Sequence, residues 1–245
     1  MLQIIKQEFI KYAKNPFGIV FGFGFPISWT IIYGMVWGKE DVQGSLLMNY
    51  LFPPLSIMAI LSFSISSIPI TMCANRIDKR IKIIALANIT KLKYIFSLVA
   101  TYYTMYFVEF MICLITAIAA FNLSTSATMI STLLFLPIPI FIVHFMMSVT
   151  MANFGKSINF ITSMSFFILM ISLFFSGATV PGLAIDTNDV WFKYFQYILP
   201  TGNAVLLMEY IANGLDTTQI WWVYVTSIIY TALFAFLAIK YFKWD

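Results

Sequence analysis

Six stretches of this chain carry almost no charge over membrane-scale lengths, and that feature decides what it can fold into. The apolar runs lie near Phe17–Trp37, Met48–Cys73, Tyr94–Phe121, Met129–Met151, Phe160–Ala178 and Ile220–Tyr241. At ~1.5 Å of rise per residue, about 20 apolar residues cross a hydrocarbon core of ~30 Å. Lipid offers no partner to a free backbone N–H or C=O, so such runs fold as helices. Hydrophobic residues make up 61% of the 245 and charged residues 10%, where an ordinary water-soluble chain has about 45–50% and about 25%. The expected fold is an all-α membrane protein with six transmembrane helices in a single domain over residues 1–245, with no separate soluble domain.

Six spans place both termini on one side of the membrane, and the basic residues identify that side. Lys6, Lys11, Lys14, Arg76, Lys79, Arg80, Lys82, Lys91, Lys93, Lys156, Lys240 and Lys243 fall with the termini; only Lys39 and Lys193 fall opposite. Excess Lys and Arg marks the cytoplasmic face. Both termini are therefore expected inside, and the far face carries Glu40, Asp41, Asp186, Asp189 and Asp216.

Residues 1–14 lack the unbroken apolar core and small-residue cleavage site of a signal peptide. Their period is that of an amphipathic helix, with Leu2, Ile5, Phe9, Tyr12 and Ala13 on one face and Gln3, Gln7, Lys11 and Lys14 on the other. Asn15-Pro16 ends it before the first span. Such a helix is expected to lie in the cytoplasmic interface, as an anchor or as part of a docking surface.

The longest inner loop, residues 74–93, reads ANRIDKRIKIIALANITKLK. Ile77, Ile81, Ile84 and Ala85 fall on one side of a helical projection, with Asp78, Lys79, Arg80 and Lys82 on the rest. A short basic amphipathic helix between spans suits lipid headgroups or a soluble partner.

Between spans five and six, residues 181–218 hold two apolar segments, Val190 to Leu199 and Ala204 to Ala212, separated by Pro200, Thr201, Gly202 and Asn203. Each reaches roughly 13 to 15 Å as a helix, about half a hydrocarbon core. Broken half-helices at membrane depth need protein or a wet cavity beside them. The segment is expected to be an outer re-entrant helical hairpin, with Pro181, Tyr197, Pro200, Gly202 and Leu206 as candidate gate residues.

Two ionisable residues lie within spans. Glu109 falls roughly 22 Å past the inner end of the third span and His144 about 11 Å from the inner end of the fourth. Intramembrane ionisable groups usually face a cavity or a partner. Glu109 is read as either a pathway carboxylate or a hydrogen-bonded structural acid. His144, between Val143 and Phe145, reads first as a satisfied structural histidine, with a place on a conduit wall as the alternative. Their unequal depth argues against a direct pair. In the second span, Ser56, Ser62, Ser64, Ser66 and Ser67 suit close helix packing or, alternatively, the wall of a wet channel.

Several chemistries are excluded. Gly155-Lys156-Ser157 resembles the end of a phosphate-binding loop, but Thr150 stands where that motif requires Gly, and the tripeptide joins two spans instead of a strand and a helix. Cys73 and Cys113 are placed too far apart for a bridge. One histidine and no clustered acids supply no metal site. The chain is expected to be no enzyme and to bind no nucleotide, metal or other cofactor itself.

The order of these features resembles the ABC-2 type permeases: an amphipathic amino-terminal helix ending in Asn15-Pro16, six spans, a basic loop after span two, then Phe175-Ser176-Gly177, Pro181 and Leu199-Pro200 in an outer hairpin. The resemblance covers the whole chain. It implies a transport subunit of the bacterial cytoplasmic membrane that pairs with a second permease subunit, as a homodimer or heterodimer, and with cytoplasmic ATP-binding subunits that carry ATP and Mg. Arg76, Ile77, Asp78, Lys79, Arg80, Ile81 and Lys82 would then form the ATPase-coupling loop. Contact with membrane lipid is expected, and contact with nucleic acid is not.

Small bacterial members of that family export antimicrobial peptides, drugs or lipid-linked glycans, and the chain is also similar to permeases of exporters for phenol-soluble modulins. Apolar spans with 18% aromatic residues suit amphipathic or hydrophobic cargo better than a highly charged sugar. The competing readings are a membrane immunity or binding protein without transport, and an ion-coupled carrier using Glu109. The two halves, 1–121 and 122–245, show no inverted repeat of the kind many carriers contain.

Overall fold

The computed structural model describes residues 2–14, 16–38, 40–42, 45–155, 157–179 and 190–242. Lys39, Lys156, Pro181, Asp186, Asp189 and Lys243, singled out above, and Asn15 lie outside the described residues. Apart from a two-residue antiparallel ladder pairing Asp41–Val42 with Ser45–Leu46, the elements are helical.

Helix α1 (Leu2–Ala13) leads into a helical path made of α2 (Pro16–Ile19), a π-helical turn (Val20–Gly24) and α3 (Phe25–Val36). The second path joins α4 (Met48–Leu61), a second π-helical turn (Ser62–Ser67) and α5 (Ile68–Ile77). The short α6 (Arg80–Leu86) precedes α7 (Lys91–Phe121). Helices α8 (Ala127–Phe135) and α9 (Pro137–Phe154) run on through Leu136, followed by α10 (Ile158–Phe175), α11 (Val190–Ile198), α12 (Pro200–Ala212), a 3-10 turn (Thr217–Ile220) and α13 (Trp221–Lys240).

Five of these runs are long and apolar enough to cross a membrane: Met48–Ile77, Lys91–Phe121, Ala127–Phe154, Ile158–Phe175 and Thr217–Lys240. The first expected span contains the shorter apolar helix Val20–Val36. Both π-helical turns have one cause. A proline ring clashes with the carbonyl four residues back and supplies no N–H to it. For Pro26 that residue is Gly22 and for Pro69 it is Ile65, each inside its widened turn. Around the second turn, serine hydroxyls bond back to the freed or strained backbone: Ser62 donates to Met58 O at 3.0 Å, Ser64 to Ile60 O at 2.6 Å and Ser66 to Ser62 O at 2.5 Å.

Helix starts follow local chemistry. Thr90, Ser126 and Ser157 each accept from the backbone N–H three residues on, capping α7, α8 and α10. Asn122 ends α7 in the left-handed conformation with φ 53°.

The second path is the axis of the bundle. Phe52, Ile57, Met58, Ile60, Leu61, Phe63 and Ile65 on it are fully enclosed, whereas α13 packs on α9 and α12 and leaves most of its apolar surface exposed. Asn153 Nδ2 donates to Ala238 O at 3.1 Å and Thr150 Oγ1 to Phe234 O at 3.3 Å along that seam.

The ends of the described chain meet the same end of the bundle. Lys11 Nζ donates to Asn75 Oδ1 at 2.9 Å, just before α6, and Lys91 Nζ donates to Phe242 O at 3.3 Å, just after it. The face α1 turns inward is Ile4, Glu8 and Tyr12, while Leu2, expected on its apolar face, is 82% exposed. Glu8 tolerates that burial because Lys11 donates to its Oε1 at 2.6 Å and Asn75 Nδ2 at 3.3 Å. Tyr12 continues the dock: its hydroxyl donates to Gly18 O, and a Cβ at Gly22 would run into it.

Candidate functional site

Three candidate regions emerge. At the end of the bundle holding the termini, the helical period breaks at Asp78-Lys79, where Lys79 takes φ 60°. Ile77 therefore does not share a face with Ile81, as the helical projection suggested. Ile81 is buried and Ile84 packs on the core, whereas Ile77, Ile83 and Leu86 are exposed. Arg80 Nε faces Asp78 Oδ2 at 3.6 Å, both half-exposed, and Arg76 donates to Gly155 O in the turn between α9 and α10. Lys79, Arg80 and Lys82 are exposed. The result is a small ledge with basic and apolar groups outward, braced against two spans and, through Asn75, against α1.

The second region is a groove of about 340 Å³ between the first two paths and α10. Phe21, Ile70 and Phe166 give it apolar walls; Ser66, Ser67, Thr71 and Thr162 give it hydroxyls. This divides the serines of the second path. Ser56, Ser62 and Ser64 are buried and bonded to their own backbone, as packing groups are, and only Ser66 and Ser67 reach the groove.

The third region is the hairpin of α11 and α12. It departs from expectation in where it breaks. Leu199 alone is extended (φ −79°, ψ 133°), and Pro200 to Asn203 form the first turn of α12, with Asn203 N bonded to Leu199 O at 3.1 Å. Proline at the first helical position loses no hydrogen bond, so Pro200 starts a helix here instead of forming a loop. With 9 and 13 residues, α11 and α12 reach about 13 Å and about 20 Å, short of a hydrocarbon core. Gly202 lies against the backbone of Gln196, where a Cβ would overlap the carbonyl. The gate candidates Tyr197 and Leu206 both turn toward α13: Tyr197 meets the Trp222 ring edge-on at 4.3 Å, and Leu206 packs with Ile220 and Val223. Tyr230 donates to Ile198 O, and Asn203 Nδ2 donates to Thr226 Oγ1 at 2.7 Å.

Glu109 and His144 belong to separate networks. Glu109 is fully buried and accepts from Cys113 Sγ at 3.0 Å; Thr30 of α3 lies against that thiol. His144 joins the hairpin. Its Nδ1 lies 2.8 Å from Ile140 O, and its Nε2 lies 3.1 Å from Thr201 Oγ1. A carbonyl only accepts, so Nδ1 carries the hydrogen; in the neutral ring Nε2 then accepts from Thr201. Glu209, 5% exposed in α12, is a third buried carboxylate after Glu8 and Glu109, and the sequence reading passed over it. An acid inside an apolar half-helix was the available signal. Cys73 and Cys113 are both free, and among the described residues no three His, Cys, Asp or Glu side chains gather as a metal site would require.

A multi-pass helical membrane protein with a short basic ledge at one end of the bundle and a broken hairpin at the other has the form of a transport subunit. The family model described as ABC-2 type transporter matches residues 1–212, and the chain belongs to that family. It is a permease component of an ABC transporter, a class of membrane subunit without an ATPase domain of its own that works with an ATP-binding partner. No curated protein and no solved structure matches the chain.

Proposed function

We propose that the chain is the conduit-forming subunit of an ATP-driven exporter for amphipathic or hydrophobic cargo, such as antimicrobial or toxin peptides. The observation that carries this reading is the groove between the first two paths and α10, which sets hydroxyls against aromatic rings. A surface of that kind suits an amphipathic helix, the chemistry of phenol-soluble modulins, better than a charged sugar.

A second permease subunit completes the conduit. Beside Thr162 and Phe166 of the groove, α10 presents Phe160, Phe167 and Phe174 outward at seven-residue spacing. A stripe of that period supports packing against another helix. With the basic end of the bundle in the cytoplasm, the ledge around α6 receives the ATP-binding subunit, and α11–α12 dips into the outer leaflet as the exit gate. Glu109 holds α3 against α7 through Cys113, and His144 holds the hairpin. The setting is the bacterial cytoplasmic membrane.

Transport into sealed vesicles tests the reading. The chain is reconstituted with its ATP-binding subunit, that subunit facing outward, and uptake of a fluorescent amphipathic helical peptide is followed. ATP-dependent accumulation is expected. Accumulation of a lipid-linked glycan with none of the peptide would replace the cargo class, and equal peptide accumulation without ATP would remove the exporter reading altogether.

A further inference from the structure

A narrow hollow of about 250 Å³ lies between α9, α12 and α13. Ile140, Val143, Ala204, Leu207 and Ile228 give it apolar walls, and His144 lines it as well. Its lining on α9 runs from Leu136 to His144, and on α13 from Tyr224 to Thr231. At ~1.5 Å per residue these are lengths of about 12 Å and about 10 Å. The hollow is thus elongated along the spans. Leu136 and Pro139 also border a second, more open hollow of about 390 Å³, where Ser131 and Thr132 supply hydroxyls beside Phe135 and Ile211. The two hollows share Leu136 and Pro139 in their walls.

Size and surroundings limit the occupant. A helix with its side chains is about 10 Å across, and drug-sized ligands occupy about 300 to 1,000 Å³, so the inner hollow suits neither. One wall is α13, whose most apolar window is only 11% buried in the subunit. In a membrane the material against such a helix is hydrocarbon. An apolar hollow left empty loses dispersion contacts along its whole lining, and one lined this way does not hold water well. A single alkyl chain restores those contacts.

We propose that this hollow binds one acyl chain of a membrane phospholipid, its tail lying along α9 and α12 against Val143 and Leu207. The chain fills the gap beneath the hairpin and ties α12 to α9 and α13. The proposal rests on the chain being a multi-pass membrane protein and is independent of what cargo it moves.

The test uses the full chain in phosphatidylglycerol vesicles containing a small fraction of phosphatidylglycerol with a diazirine near the end of one acyl chain. After illumination, labelled residues are mapped by mass spectrometry. Label is expected to concentrate on Val143 and Leu207, which line the hollow, over the exposed Ile228, Ile229 and Leu233 of α13, and this map needs no variant. Val143→Trp, or Ser227→Trp should the first not fold, is expected to cut label at Leu207 by about tenfold, because displacing even two buried methylenes has that effect. Label confined to Ile228, Ile229 and Leu233, with none on Val143 or Leu207, or label unchanged in a folded filling variant, would overturn the proposal. Label at Leu207 that an excess of amphipathic peptide removes would make the hollow a cargo site and overturn it too.

Discussion

The imidazole of His144, halfway along α9, stands 3.1 Å from the hydroxyl of Thr201 in the first turn of α12. This contact joins a membrane-spanning helix to the apex of the hairpin. His144 is 1% exposed and Thr201 likewise, so neither has water as a substitute partner. Replacing His144 with Ala, or Thr201 with Val, is expected to lower stability by about 1–3 kcal/mol, the cost of leaving a buried polar partner unmatched. Thermal unfolding in detergent measures it. In a double-mutant cycle the two losses should fall short of additive, and simple additivity would show that the two side chains act separately.

Gly202 supplies an independent probe of the same hairpin. Its Cα abuts the backbone of Gln196, which has no far end to swing aside. Gly202→Val is expected to pry α11 from α12 at a cost of about 1–3 kcal/mol and to expose Gln196, now 4% accessible. Protease sensitivity at residues 196–199 reports the change. Wild-type resistance in the valine variant would mean that the close approach is absent in the membrane.

Glu109 of α7 is fully buried and accepts from Cys113, one turn further along the same helix. Glu109→Gln keeps the acceptor oxygen and is expected to leave assembly and export near wild type, whereas Glu109→Ala leaves a void costing about 2 kcal/mol or more. Unfolding temperatures and the pH profile of export are read side by side. A changed pH profile in the glutamine variant would make Glu109 a conduit group instead.

The long apolar runs are legible in sequence because hydropathy sums over twenty or more residues, and no single neighbour decides it. What the bundle does with the polar residues inside those runs is not legible, because the partners are remote in sequence. Glu8 is buried because Asn75 and Lys11 reach it, and the Lys11–Asn75 pair is separated by 64 positions. His144 and Thr201 are 57 apart. Pro200 illustrates a local ambiguity: the same residue ends a loop or begins a helix, and only Leu199's extended backbone decides between them. Ile77 failed the helical projection for a similar reason, since one left-handed residue at Lys79 reset the phase. Glu209 was within reach of the rule that found Glu109.

The central claim is that this permease is driven through the ledge around α6, where Lys79, Arg80 and Lys82 face outward beside exposed Ile83 and Leu86. The most direct measurement is ATP hydrolysis and peptide export together, in vesicles holding the chain and its ATP-binding subunit, for wild type and for the triple variant Asp78→Ala, Lys79→Ala, Arg80→Ala. The variant is expected to insert and fold as wild type does, to retain basal hydrolysis by the partner, and to lose both peptide-stimulated hydrolysis and export. Export at the wild-type rate by the triple variant would contradict the claim and remove the ledge from the mechanism.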